Sequence, residues 1–308
     1  MASMPAPLQL PDGLTQRSLG PADTAAVTAV IAAQELVDVG EVVIEEADIV
    51  ADWQLPGYDV AAETIGVFEG DRLVAYADTS FTERGDAAVL PELQGRGIGT
   101  ELARWQRERA REKGWRIIGS PVPEGSPGDR LLEKLGYRVR WTSWVLKLPE
   151  GATVPERPLP EGYAVRAATA AEYPAVWTVQ EDAFLEWSVR ERDTFEEWEA
   201  TTTKRPGFEP WHVRVVTDPT GDLVAMALVQ TNADCAYIAR LATRKDQRGR
   251  GLAQALLADS FAVAAVHGAV RSELSTDSRT GALGLYEKVG MHVTSTWLSR
   301  AIDVEPAP

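Results

Sequence analysis

Much of this chain is written twice, in the same order. Gln94-Gly95-Arg96-Gly97-Ile98-Gly99 returns as Arg248-Gly249-Arg250-Gly251-Leu252-Ala253, 154 positions later. Glu133-Lys134-Leu135-Gly136 returns at that same spacing as Glu287-Lys288-Val289-Gly290. Earlier landmarks lie slightly closer. Pro11-Asp12-Gly13-Leu14 with Arg17 matches Pro160-Glu161-Gly162-Tyr163 with Arg166 at 149, and Leu73-Val74-Ala75 matches Leu223-Val224-Ala225 at 150. An offset that drifts slowly while the order is kept is what loop insertions in a duplicated domain produce. At 308 residues, each copy is long enough to bury its own core. The duplication predicts two domains of one fold, at 13–148 and 161–304. Between them, 149–160 carries prolines at 149, 155, 158 and 160 and reads as a stiff, extended linker.

Within each copy the pattern reads as strand, two helices, three strands, helix, strand, helix and two final strands. In the first copy the strands fall at 15–19, 63–68, 73–81, 87–90 and 116–119. The helices fall at 21–36, within 41–58, at 98–113 and at 130–135. The stretch 137–148 supplies the final strands, and residues 1–12 form a Pro-rich, loose start. Hairpins followed by a strand–helix crossover imply a mixed sheet with helices on both faces, an α/β chain of the α+β kind. The run 252–266 is apolar nearly all round, with Gln254, Asp259 and Ser260 as exceptions, and so predicts a helix buried on most sides.

Each Gly-rich turn sits between an apolar strand and a long helix. There, unpaired N–H groups and the positive helix end converge, which suits a phosphate. Two familiar phosphate loops do not fit. No Lys-Ser/Thr follows either turn, and the dinucleotide spacing of glycines is absent so late in a domain. The formal charge is −15, from 31 basic and 46 acidic residues, which disfavours nucleic acid and anionic membrane as partners. No apolar run reaches a membrane span and the start lacks a signal-peptide pattern, so a cytoplasmic protein is expected. Cys235 is the single cysteine, so no disulfide can form within the chain. It has no histidine near it in sequence to make it a nucleophile. His212, His267 and His292 are dispersed, giving no metal site. His267-Gly268 reads as a helix end.

The two turns resemble the Gln/Arg-x-x-Gly-x-Gly/Ala signature of the GNAT superfamily of N-acetyltransferases. Val89 to Gly99 matches its longer form closely. The stretch Ala282 to Met291, with Leu285-Tyr286 and Gly290, resembles that family's second landmark. The resemblance spans nearly the whole chain, twice. It implies two tandem GNAT-like acyl-CoA N-acyltransferase domains with acetyl-coenzyme A as co-substrate and no metal. In the second copy it assigns the coenzyme to Arg248, Gly249, Arg250, Gly251, Leu252, Ala253 and Gln254, with the pantetheine along Leu241, Ala242 and Thr243. The corresponding set in the first copy is Val89, Gln94, Gly95, Arg96, Gly97, Ile98, Gly99 and Thr100.

The resemblance further implies that Tyr286 protonates the departing thiolate. The position 154 earlier is Leu132, which has no proton to give, so the second copy is expected to be catalytic and the first non-catalytic. Where family members commonly carry Asn, Arg279 stands. Glu273 and Asp234 are candidate bases. Glu181, Asp182 and Glu186 lie in the region that covers the acceptor in the family and read as a solvated acidic face. The expected reaction is direct attack of a small-molecule primary amine on acetyl-coenzyme A in a ternary complex, by a monomer or homodimer. The tandem layout also resembles that of mycothiol synthases, which acetylate a cysteinyl pseudodisaccharide. A non-catalytic acyl-coenzyme A sensor is the reading from another class.

Overall fold

The computed structural model describes residues 7–80, 83–232 and 234–305. Residues 1–6 of the Pro-rich start, and Phe81 at the end of the expected 73–81 strand, lie outside them. The first copy runs β1 (Leu14–Arg17), α1 (Thr24–Asp38), α2 (Glu46–Trp53), α3 (Val60–Glu63), β2 (Thr64–Glu69), β3 (Arg72–Asp78) and β4 (Ala87–Val89). It continues with α4 (Ile98–Glu112), β5 (Ile117–Pro123), α5 (Pro127–Lys134) and β6 (Arg138–Lys147). The second runs β7 (Ala164–Ala167), α6 (Tyr173–Phe184), α7 (Phe195–Thr201), β8 (Val213–Thr217), β9 (Leu223–Asn232) and β10 (Cys235–Thr243). It ends with α8 (Leu252–Val266), β11 (Arg271–Asp277), α9 (Leu283–Lys288) and β12 (His292–Asp303). The repeat in sequence is thus a repeat in structure. Two expectations fail: the first copy adds a short third helix, α3, and 137–148 is a single long strand, not two.

The chain forms two compact units, but these do not follow the repeat. One unit is the chain up to Thr142 together with Thr296 onward; the other is Ser143–Ser295. The reason is an exchange of final strands. Ser143 to Lys147 of β6 pairs antiparallel with β11, from Asp277↔Ser143 to Glu273↔Lys147. Trp297 to Asp303 of β12 pairs antiparallel with β5 of the first copy. The expected boundary at 148 follows the sequence repeat, which does not say which sheet edge a terminal strand will join.

In the second unit the strand order is β7-β8-β9-β10-β11 followed by the end of β6, with β10–β11 the parallel pair. Strand alternation decides what each face meets. Met226 and Leu228 of β9 pack with Val176 and Val179 of α6. Ala225 and Ala227 pack with Leu252 and Leu256 of α8. So α6 and α8 cover opposite faces of one sheet, each burying an apolar stripe. The helix α8, expected to be buried on most sides, is open to solvent only towards its C-terminal end. It buries Leu252, Ala255, Leu256, Leu257, Ser260, Phe261 and Ala264, whereas Ala262 and Ala265 are exposed and Val266 is 86% exposed. The outer alanines are there as helix formers rather than as core.

In the first unit β1, β2, β3 and β4 form an antiparallel sheet in that order. The returning end of β12 is fastened there by charge as well as by its ladder. Arg300 Nε donates to Asp129 Oδ1, and Arg300 Nη1 donates to the Tyr137 carbonyl at 3.1 Å. Both side chains of the ion pair are at most 10% exposed. Removing the cation would strand a buried carboxylate, so Arg300→Ala is expected to lower the unfolding free energy by about 3–5 kcal/mol. Urea unfolding of the full chain measures this, and a loss below about 1 kcal/mol would contradict the ion pair's role.

Candidate functional site

Strands β10 and β11 stay together for only four residue pairs, from Cys235↔Arg271 to Ile238↔Leu274. Beyond them, β10 follows β9 out to Thr243 and β11 follows β6 out to Asp277. The two strands part, leaving one edge of β10, from Ala239 to Thr243, without its parallel partner. Unpaired strand edges bind extended ligands as an added strand. The divergence has a local cause: the β9–β10 register slips between Ile238 and Arg240, a bulge that re-aims the rest of β10. Near the apex the Tyr237 hydroxyl and Ser275 Oγ lie 2.7 Å apart.

The Gly-rich turn follows at the far end of β10. Gly251 is the N-cap of α8 with φ 84°, a left-handed conformation that glycine adopts without strain. The 15-residue helix directs its first N–H groups and positive end into the turn. Arg248 donates to Glu186 through both terminal nitrogens, at 3.0 and 2.6 Å, and its Nε donates to the Thr243 carbonyl at 3.2 Å. Arg250 reaches the Tyr163 hydroxyl at 3.3 Å. The Gln254 amide donates to the Pro155 carbonyl at 2.8 Å, so this side chain is occupied by the linker. Leu241 is half-buried, Ala242 is buried, and the buried Thr243 Oγ1 has no protein partner among the described residues. The predicted set Leu241–Thr243 and Arg248–Gln254 is therefore brought to one place, at the mouth of the wedge.

The first copy builds the same turn. Gly97, φ 88°, caps α4, and added Cβ atoms at Gly95 or Gly97 would meet nothing within 4 Å. Gln94 Nε2 donates to the Val89 carbonyl at 3.3 Å, tying the turn to β4, while Ile98 is buried and Arg96 and Thr100 are exposed. Gly99 packs against Leu131 of α5. The two copies differ at the helix that follows. Leu132 of α5 is 6% exposed among Ala103, Ile118 and Tyr137. Tyr286 of α9 is 7% exposed among Leu257, Phe261, Leu274 and Met291. Burial, with the nearby Tyr237 adding to it, pushes the Tyr286 phenol up to about 12, so it stays protonated at neutral pH.

The two candidate bases separate. Glu273 lies on β11 one residue before the last pair with β10. By alternation it shares a face with Ser275 and, across the ladder, with Tyr237. It is 5% exposed and pairs with Lys147 at 3.1 Å and Arg271 at 2.9 Å. Asp234 precedes β10 at its opposite end, roughly 30 Å along the strand from the turn at ~3.3 Å per residue. It is exposed and pairs with Arg271. The acidic face expected at 181–186 is not simply solvated. Glu181 is fully buried; burial alone would raise its pKa, but the Arg190 guanidinium and the Asp193 N–H hold it below the usual range. Asp182 pairs with Arg192 and Glu186 with Arg248. Arg279 is turned onto Asp277 and lies over the Trp187 ring at 4.9 Å. His267 caps the end of α8 as expected and stacks on Trp211. Tyr237 and Ser275 were not singled out from sequence. Their signal is strand parity around the last paired residues, readable only once the register is known.

Residues 37–137 and 173–291 each match the acetyltransferase (GNAT) family, together most of the chain. The chain belongs to the GNAT acetyltransferase family. It is an acyltransferase of tandem layout with a mixed α/β fold. Mycothiol acetyltransferase of Salinispora arenicola is 28% identical over 222 residues, which cover 67% of this chain and 68% of that protein. A GCN5-related N-acetyltransferase from Sphaerobacter thermophilus superposes with a TM-score of 0.78 at 29% identity, covering 97% of this chain and 98% of that one. A tandem GNAT protein of the clavulanic acid biosynthesis pathway superposes with a TM-score of 0.72 at 17% identity, covering 96% and 100%, and shows the shared fold. Among the described residues no helix is long and apolar enough to cross a membrane.

Cys235 begins β10, at the end of the shared ladder away from the parting, and is 5% exposed. Burial, then the Glu273 charge, pushes its thiol from 9.0 up to about 12. The thiolate fraction at pH 8 is lower by roughly a thousandfold than for an ordinary cysteine. Iodoacetamide is expected to alkylate Cys235 at least about a hundredfold more slowly in the folded GNAT chain than in urea, followed by mass spectrometry. Comparable rates would show an accessible, reactive thiol.

Proposed function

We propose that this chain is an N-acetyltransferase that moves the acetyl group of acetyl-coenzyme A to the primary amine of a small molecule. The second copy, 161–304, is the catalytic one, and the first copy, 13–148, supports it without turning over. The observation that carries the reading is the pairing of a protonated, buried Tyr286 with the open edge of β10, against Leu132 in the first copy. The coenzyme's diphosphate rests on the N–H groups of Arg248 to Ala253, and its pantetheine arm extends β10 along Leu241 to Thr243.

The amine nitrogen attacks the thioester carbonyl carbon, and the bulge at Ala239 offers a backbone N–H to the oxygen as it gains charge. The C–S bond then breaks. A phenol near 12 is a weak donor to a thiolate, whose own thiol lies lower, so Tyr286 chiefly stabilises the forming sulfur anion by a hydrogen bond. The surplus proton of the new ammonium leaves through the Tyr237–Ser275 hydroxyl pair towards Glu273, and the thiolate is reprotonated. Of the two candidate carboxylates, the position of Glu273 beside the apex suits this role and that of Asp234 does not. No enzyme nucleophile is needed, in keeping with the elevated Cys235 thiol.

The Salinispora relatives favour a more specific version of the same reaction, in which the acceptor is the cysteinyl amine of a mycothiol precursor. Cytoplasmic action on a soluble amine agrees with the charge of −15. Tyr286→Phe is expected to lower kcat by about 100-fold with little change in KM for acetyl-coenzyme A. Thiol release over a panel of amines, including cysteinyl sugars, measures it. Unchanged turnover removes Tyr286 from the mechanism, and coenzyme binding without turnover across the panel favours a sensor.

A further inference from the structure

We infer that the segment joining the two copies is part of the coenzyme site, with Arg157 as a ligand of the coenzyme's diphosphate. This rests on reading the turn at 248–253 as the acyl-coenzyme A cradle. The linker is seated on α8 on both sides of Arg157. Val154 is 5% exposed and packs in the cluster of Leu257, Phe261 and Ala264. Leu159 packs against Leu252 and Leu256. Between them, the Pro155 carbonyl accepts from Gln254 at 2.8 Å. The expected stiff spacer is therefore a strap laid along α8 towards its first turn.

Its arginine lies on the cradle itself. A Cβ placed on Gly251 would sit 2.5 Å from Arg157 Nε, 2.6 Å from Cδ and 3.1 Å from Cζ. The guanidinium thus fills the space that a side chain at the helix N-cap would occupy. Among the described residues no atom lies within 4 Å of a Cβ placed on Gly97 in the first copy. Arg157 has no hydrogen bond or ion pair among the described residues and is exposed.

Such a placement opposes ordinary electrostatics. A cation is disfavoured at the positive end of a helix. Arg248 and Arg250 are in the same turn, and Glu186, the carboxylate at hand, is already held by Arg248. An anion of two charges lying between Arg157 and the first N–H groups of α8 would reverse the sign of every one of these terms. A diphosphate has that charge, and its oxygens match the fork of a guanidinium. Arg157 is a binding and positioning residue, remote from the thioester, so it should govern affinity and not the chemical step.

Calorimetric titration of the full chain with acetyl-coenzyme A and with its 3′-dephospho analogue tests this, using the wild type, Arg157→Ala and Arg157→Lys. Arg157→Ala should weaken the second site at least about tenfold for both ligands. Arg157→Lys should recover part of the loss, and kcat at saturating coenzyme should stay within about twofold while KM rises. Wild-type affinity in Arg157→Ala overturns the proposal and leaves the cradle reading intact. A penalty seen with acetyl-coenzyme A but lost with the dephospho analogue overturns the diphosphate assignment. Failure of the wild type to bind either ligand removes both readings together.

Discussion

The site depends on two strands that begin as neighbours and are then claimed by others. β10 and β11 share four residue pairs, after which β9 holds one and β6 holds the other. Antiparallel ladders on the outer sides satisfy half of each backbone, so the inner edges can stay open without unfolding the strands. Everything chemical is arranged around that gap. Tyr237 and Ser275 are at its apex, the Gly-rich turn is at its mouth, and Tyr286 is packed beside it. The bulge at Ala239 supplies the change of direction that a straight strand would lack.

The strand that holds β11 away from β10 belongs, by sequence, to the first copy. Conversely, β5 of the first copy is paired by the last strand of the second. Neither compact unit is built from its own repeat alone. Duplication followed by exchange of terminal strands makes the two copies interdependent in folding while leaving each free to diverge at its site. They have diverged at one position of clear chemical weight, Leu132 against Tyr286.

Charge is handled locally. The chain is acidic overall, yet the turn after β10 gathers Arg157, Arg248 and Arg250 at a helix N-terminus. Arg248 is neutralised by Glu186 in an exposed pair, the kind that costs little to open. Buried acids elsewhere are paired more firmly, Glu181 with Arg190 and Asp129 with Arg300. The exchangeable partner is at the mouth of the wedge and the fixed ones are in the frame.

The sequence alone determined the duplication, the order of elements, the two Gly-rich turns and the contrast between Tyr286 and Leu132. These are local patterns. Gly97 and Gly251 announce a left-handed N-cap, and apolar periodicity announces the strands and helices around it. Only the tertiary structure decided which sheet each final strand joins, because pairing register is a long-range property that β6 and β12 carry no local mark of. It alone separated Glu273 from Asp234, which are close in composition and kind but lie at different distances from the parting of two strands. And it alone laid the linker on α8, since a proline-rich segment shows its stiffness in its residues but not the surface against which Val154 and Leu159 will bury.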